Sequence, residues 1–417
     1  METRRDFLTL LSVGAGALPL EHALPEPQAQ PSAGVGSLFP FIQGRLPKGL
    51  PRLCFLRGEF TDVEEWRSLA KGRLRELLHY RPEPCALDPV TASIETRGDL
   101  VREEVAFSVS PGCRAPATVL KRRGLRGKLP ALIALHDHGA FYLWGREKLV
   151  ALQGEHPSLA AHKAQYYAGR SIAADLAEQG YLVVCMDMFY WGERRLLLEA
   201  DPPEWRERPP GMEESAVRAF NQRSSQMEQL VARTIHAAGF TWPGVMFHDD
   251  MRTVDYLLSR PDVDPERVGC VGLSVGGLRA CHLAALDSRI RAAVAVGWMT
   301  SFPYQLRNHV VNTIGHSMVV PGIYGDLDYP DVALLAAPRP LLVINGSRDT
   351  LFHPEGVRAA FRRLRAGYRK AGNERALVTR LYDAPHEFNM AMQQEAWRFL
   401  DENVRLARPA SRRPGVG

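Results

Sequence analysis

The chain has 417 residues, 45% of them hydrophobic and 24% charged, and a formal charge of +5. That composition belongs to a globular protein and excludes disordered and collagen-like classes, while no apolar run reaches the roughly 18 residues that a membrane span needs. Arginines are dispersed or gathered near the end at Arg405, Arg408, Arg412 and Arg413, a pattern of solvated surface rather than a nucleic-acid footprint.

The first residues, Thr3-Arg4-Arg5-Asp6-Phe7-Leu8, lead into an apolar stretch with Gly and Ala up to Leu20, then a region rich in Pro, Gln and Ala. Paired arginines before a short apolar region resemble a twin-arginine export signal, so residues 1–33 are expected to be signal and linker. The expected location is periplasmic or extracellular, with no stable membrane insertion after export. Cysteines stand at 54, 85, 113, 185, 270 and 281, with no CxxC pair and no zinc-like spacing to histidine, so no metal is expected. Export would permit a disulfide, and Cys54 with Cys85 is the one pairing considered.

Residues 34–104 are expected to be an N-terminal extension packed on the core, with a helix over 66–80. From residue 105 the pattern becomes regular. Short apolar runs at 131–136, 181–188, 268–273, 292–297, 340–345 and 376–382 read as strands, separated by segments of helical periodicity. Such an alternation predicts an α/β fold with a mostly parallel sheet and helices on both faces. One helix is placed at 249–259, its acidic start suiting a helix N-terminus, and a last one at 394–404 closes a catalytic domain over 105–404. Residues 405–417 read as a basic tail.

The chemistry is carried by Gly272-Leu273-Ser274-Val275-Gly276, a G-x-S-x-G between an apolar strand and a helix. A serine at the tip of a sharp turn needs small neighbours on both flanks, and the following helix directs partial positive charge at the reacting oxygen. A serine hydroxyl also needs a base and an orienting carboxylate, which this arrangement supplies in the chain order Ser, acid, His. Asp349 follows the strand at 340–345 and His386 follows the strand at 376–382, which satisfies that order. Asp383 competes by its nearness to His386, and Asp326, Asp328 and Asp331 by standing before the strand at 340–345; Asp349 ranks first. The oxyanion donors are expected to be the backbone N–H groups of Val275 and Ala140, with Gly139 as alternative to the latter. His136 and His138 are read as loop braces.

With these phrases in view, residues 105–400 resemble the α/β-hydrolase superfamily, closest to its dienelactone-hydrolase-like and acetyl-xylan-esterase-like branches. HDHGAFYLWGREK, MDMFYWGERR, VGLSVGG, APRPLLVINGSRD and APHEFN carry the likeness. The resemblance implies cleavage of carboxylic esters, including acetyl groups on sugars. The chain departs from it in having HDHGA where a glycine run is usual, and Ser274 where true dienelactone hydrolases use cysteine, so ester hydrolysis is implied and dienelactone turnover is not.

The expected activity is therefore a serine carboxylesterase acting through an acyl-enzyme, without cofactor, on a small-molecule or carbohydrate ester such as an acetylated sugar or a glucuronate ester. A serine peptidase of the same fold is second, and a catalytically silent binding protein third. Phe141, Trp144, Trp191 and Trp298 follow strands near the expected catalytic edge and are the candidate substrate-binding aromatics. Arg194, Arg195 and Arg307 are candidates for an acidic substrate, or for pairing with Glu193.

Overall fold

The computed structural model describes residues 33–406. A nine-stranded sheet runs in the order β1-β2-β3-β5-β4-β6-β7-β8-β9. Strands β1 (Val90–Arg97), β2 (Leu100–Ser110) and β3 (Cys113–Arg122) form an antiparallel meander whose last strand pairs antiparallel with β5 (Leu182–Met186). From β5 onward, β4 (Leu129–Leu135), β6 (Val263–Leu273), β7 (Ala292–Val296), β8 (Leu341–Gly346) and β9 (Leu377–Tyr382) are all parallel.

All six predicted strands are present. The apolar runs of β4 to β8 are continuous because both faces are covered, and the two-residue pleat divides each run between two cores, while β9, at the sheet edge, is only partly buried. Ile133, Cys270 and Ala295 face one core, shared with Trp66 and Leu278, while Leu132, Val271 and Val294 face the other, shared with Ile172 and Leu400. The sheet begins at Val90, so a boundary at 105 cuts through β2. The preceding helix α1 (Val63–Leu77), capped by Asp62, buries Trp66, Ala70 and Leu74 in the first core, and the Trp66 indole donates to the Leu53 carbonyl at 2.8 Å.

In chain order, α2 (Pro157–Tyr167) and α3 (Ile172–Glu178) come between β4 and β5. Between β5 and β6 come α4 (Glu214–Ala237) and α5 (Trp242–Ser259). The helix expected at 249–259 is the second half of α5, which starts at a Thr241 cap followed by Pro243. Asp249 and Asp250 are therefore not first-turn acids. Both are buried inside α5, where Asp249 meets Arg194 at 2.7 Å and Asp250 meets Arg279 at 2.6 Å. Arg279 is at the middle of α6 (Val275–Leu286), a helix whose every residue is buried. Beyond β8, α7 (Pro354–Lys370) turns Val357, Phe361, Leu364 and Tyr368 inward, and α8 (Met390–Leu400), four residues earlier than expected, closes the domain.

All six cysteines are free thiols, and the considered Cys54–Cys85 bond is absent. Cys54 is instead buried against Asp331, and burial first, then that carboxylate, pushes its thiol up to about 12. Among the described residues no helix is long and apolar enough to cross a membrane. The expected export signal and most of the basic tail fall outside the described residues.

Candidate active site

Ser274 caps α6 directly after β6, with φ 58° and ψ −123°. A non-glycine residue is held in so strained a conformation only when its surroundings fix it. Its N–H donates to the Val296 carbonyl of β7 at 2.8 Å, and the Leu278 N–H closes the first helical turn on its carbonyl at 3.0 Å. The flanking glycines are steric necessities. A Cβ on Gly272 would stand 2.4 Å from Gly276, and one on Gly276 would stand 2.1 Å from the Leu135 carbonyl oxygen.

Asp349 and His386 come from the loops after β8 and β9. His386 Nδ1 and Asp349 Oδ2 are 2.6 Å apart, while Asp349 Oδ1 accepts the Leu351 N–H at 3.0 Å. The Asp349 side chain is 1% exposed and that of His386 17%, so the carboxylate is sealed behind the ring and the ring borders solvent. With Nδ1–H donating to Asp349, Nε2 is the basic nitrogen. Ser274 and His386 line one cleft of about 410 Å³, with Trp298, Glu228, Thr313 and Met318 among its other walls. The competing acids are elsewhere occupied. Asp383 is exposed and pairs with Arg348. Asp328 and Asp331 are buried on Arg363, and Asp326 binds Arg52 and Arg73.

Residues 166–391, the stretch holding Ser274, Asp349 and His386, match the family described as Dienelactone hydrolase family. The chain belongs to that family. Over 336 residues it is 26% identical to "Putative hydrolase YtaP" of Bacillus subtilis (strain 168), covering 81% of this chain and 99% of that one. In fold it is similar to a "putative acetyl xylan esterase" from Bacteroides fragilis, with a TM-score of 0.63 at 19% identity over 83% of this chain and 82% of the other. It is also similar to a glucuronoyl esterase from Solibacter usitatus, with a TM-score of 0.57 at 14% identity over 88% and 100%.

In this dienelactone hydrolase family member, one of the two backbone N–H groups expected to serve the oxyanion is already engaged within the loop. Val275 is the first residue of α6, where an N–H has no intrahelical acceptor. Ala140 also lines the cleft, at φ 49°, but its N–H donates to His138 Nδ1 at 3.0 Å instead of facing an open position. His138 Nε2 in turn donates to Glu228 Oε1 at 2.8 Å, and the Tyr142 hydroxyl donates to the same oxygen at 3.0 Å. Glu228 was not among the expected residues. It stands on the buried stripe of α4, with Val217, Phe220, Ser224, Ala232 and Ile235. A carboxylate at an apolar position of a helical stripe is the signal that would have found it.

Beneath this loop, Asp137 is buried between Lys148 Nζ at 3.3 Å and the Tyr167 hydroxyl at 2.6 Å, with His162 Nε2 at 3.2 Å. Burial raises its carboxyl, but Lys148 and His162 outweigh that and hold it well below the usual range. His136 is buried too, its Nδ1 donating to the Asp137 carbonyl at 2.8 Å and its Nε2 accepting the Met188 N–H at 3.1 Å, so desolvation keeps the ring neutral. Both histidines brace the loop, as read from the sequence.

Of the four aromatic candidates, Trp298 alone lines the cleft. Trp191 is fully buried and donates its indole N–H to the His138 carbonyl at 3.1 Å. Trp144 packs on His156, and Phe141 stacks on His162 at 4.8 Å. These three are loop packing: Phe141 and Trp144, after β4, lie against His162 and His156 of α2 and its cap, and Trp191, after β5, is covered by the His138 loop. Arg194 is held by Asp249, Arg195 by the Trp205 and Gly192 carbonyls, and Arg307 sits over Phe39. Glu193 pairs with Arg146, not with its neighbours.

Proposed function

We propose that the protein is a serine carboxylesterase in which Ser274 is nucleophile, His386 general base and Asp349 the orienting acid. The observation that carries the reading is the 2.6 Å contact of His386 Nδ1 with a sealed Asp349, in the cleft that also holds the strained Ser274. His386 Nε2 takes the Ser274 hydroxyl proton as Oγ attacks the ester carbonyl, then gives it to the departing alcohol. Water repeats the sequence to release the acid. Asp349 fixes the tautomer and stabilises the imidazolium. The Val275 N–H, at the positive end of α6, is one donor to the oxyanion. Ala140 supplies the second when its N–H leaves His138.

The alcohol half of the ester is assigned to the side of the cleft bearing Glu228, Ser225 and Thr313, beside Trp298. Carboxylate and hydroxyl groups beside an indole suit a hydroxyl-rich alcohol such as a sugar. The acetyl xylan esterase likeness in fold agrees with that choice. Ser274→Ala tests the reading: hydrolysis of p-nitrophenyl acetate should nearly vanish while the circular dichroism spectrum stays that of the wild type. Retained turnover, or cleavage of a peptide anilide in its place, would rule it out. Acetylated sugars, in which the sugar is the alcohol, and glucuronate methyl esters, in which it is the acid, then show which half of the ester the sugar occupies.

A further inference from the structure

A second cavity of about 780 Å³ stands apart from Ser274, between α5, α6 and the segment joining β7 to β8. Phe247, Leu278, Phe302, Tyr329 and His282 form its inner wall, and Arg45, Arg52 and Arg57 stand toward solvent. That volume is in the range of small-molecule sites.

Two observations tie the cavity to the catalytic cleft. Ser274, Leu278 and His282 succeed one another at four-residue intervals, hence on one face of α6. At about 1.5 Å of rise per residue, His282 lies about 12 Å along the helix from Ser274. The two cavities also share a wall. Along residues 310–318, Val310 and Ile314 line the second cavity, Val311, Thr313 and Gly315 line the catalytic cleft, and Met318 lines both.

The cavity also contains an unused acceptor. His282 is 2% exposed, and its Nδ1 donates to the Leu278 carbonyl at 2.9 Å, which leaves Nε2 as a lone pair. Burial holds the ring down to about 4, so it is neutral in ordinary buffers. No hydrogen bond to Nε2 exists among the described residues. Its ring stacks on Phe247 at 4.1 Å, so the acceptor is fixed in direction. The outer guanidiniums are partly satisfied, Arg52 by Asp326 and Arg57 by Glu59, and do not compete with an apolar occupant for the interior.

The geometry points to this cavity as the seat of the substrate's acyl group, one that is flat and apolar along its length and carries a hydroxyl at its far end, as a hydroxyphenylpropenoyl group does. The inference rests on Ser274 being the nucleophile. The ester carbonyl sits at Ser274, the chain passes Met318 along α6, the ring lies among Phe247, Phe302 and Tyr329, and the terminal hydroxyl donates to His282 Nε2. No bond changes at His282, which is a specificity-determining residue only.

The test compares methyl p-coumarate with methyl cinnamate, the same ester without the hydroxyl, and with p-nitrophenyl acetate. For the wild type KM for the coumarate should be about tenfold lower than for the cinnamate, one hydrogen bond of about 1.4 kcal/mol. His282→Phe keeps a ring on Phe247 and should erase that difference. Ile314→Trp fills the cavity from its wall and should raise KM for both aromatic esters at least tenfold, leaving acetate turnover as in the wild type. Equal KM values for coumarate and cinnamate in the wild type, or an unaltered preference in His282→Phe, would overturn the inference. Binding of free p-coumarate to Ser274→Ala, followed by calorimetry, separates this idea from the catalytic one. Binding that Ile314→Trp abolishes supports the cavity even if Ser274 proves not to be the nucleophile, and no binding to either protein overturns it.

Discussion

Asp349 has one hydrogen bond to the His386 ring and another to the Leu351 backbone, so each carboxylate oxygen has its own task. Asn at this position keeps the Leu351 contact and favours the wrong imidazole tautomer. Asp349→Asn should lower kcat by about two to four orders of magnitude with KM nearly unchanged, in steady-state ester hydrolysis. Asp383→Asn, on an exposed side chain, should leave both constants within twofold of the wild type. Asp331→Asn belongs to a different experiment. It weakens a buried contact with Arg363 and should show as a lower midpoint of denaturant unfolding rather than as lost chemistry. His282 gives a pH signature. Its folded pKa of about 4 is below the roughly 6.5 of an unfolded histidine, so its contribution to stability is complete above pH 6.5 and is lost as pH falls through 4. The loss is about 3 kcal/mol by that difference. Asp331, raised by burial to about 6, acts in the opposite sense, gaining stability as pH falls from 6 toward 4. Unfolding free energies of the wild type and His282→Gln, compared from pH 7 to 4, should therefore diverge at the top of that range and converge at its foot.

Helix α6 has two faces of different use: Ser274, Leu278 and His282 look toward the cleft and the second cavity, while Arg279 is fixed on Asp250 of α5 with neither side chain exposed. That pair orients α6, and with it the turn that strains Ser274. Arg279→Met should destabilise the fold by about 3–5 kcal/mol, since it leaves a carboxylate buried without a partner, and Arg279→Met combined with Asp250→Leu should recover most of the loss in chemical denaturation. If the single variant were as stable as the wild type, Asp250 would have to be neutral there already. Helix α4 does comparable work from across the cleft. Glu228 holds His138 and Tyr142, and through His138 it holds the Ala140 amide, so the loop after β4 and the α4 insertion are one hydrogen-bonded assembly.

Over the whole molecule, the segment before the regular alternation is not an appendage. Trp66, Ala70 and Leu74 belong to the core that contains α6, Arg73 shares Asp326 with Arg52, and β1 and β2 extend the sheet. Export remains our proposal from Arg4 and Arg5. Replacing both by lysine should hold the protein in the cytoplasm on fractionation, and unchanged periplasmic recovery would refute the leader.

The order Gly272-x-Ser274-x-Gly276, then Asp349, then His386 was legible in the chain because steric need and loop position fix those residues locally: a Cβ at either glycine collides with the neighbouring backbone, and each of the three functional groups follows an apolar strand. Strands β4 to β8 were legible for the same kind of reason, since a strand buried on both faces is an uninterrupted apolar run; β9, at the sheet edge, carries Thr379 and Arg380 within it. What could not be read locally was everything set by partners far away in the chain. Asp249 and Asp250 look like first-turn acids until Arg194 and Arg279 fold against them. Trp144 and Trp191 look like binding aromatics until the loops after β4 and β5 turn them inward. Glu228 is 90 residues from His138, and the acceptor of His282 meets a cavity built from four separate stretches of chain. Local patterning specifies which groups stand at the strand ends; the desolvation and charge pairing that give each group its state arise only when distant segments close over them.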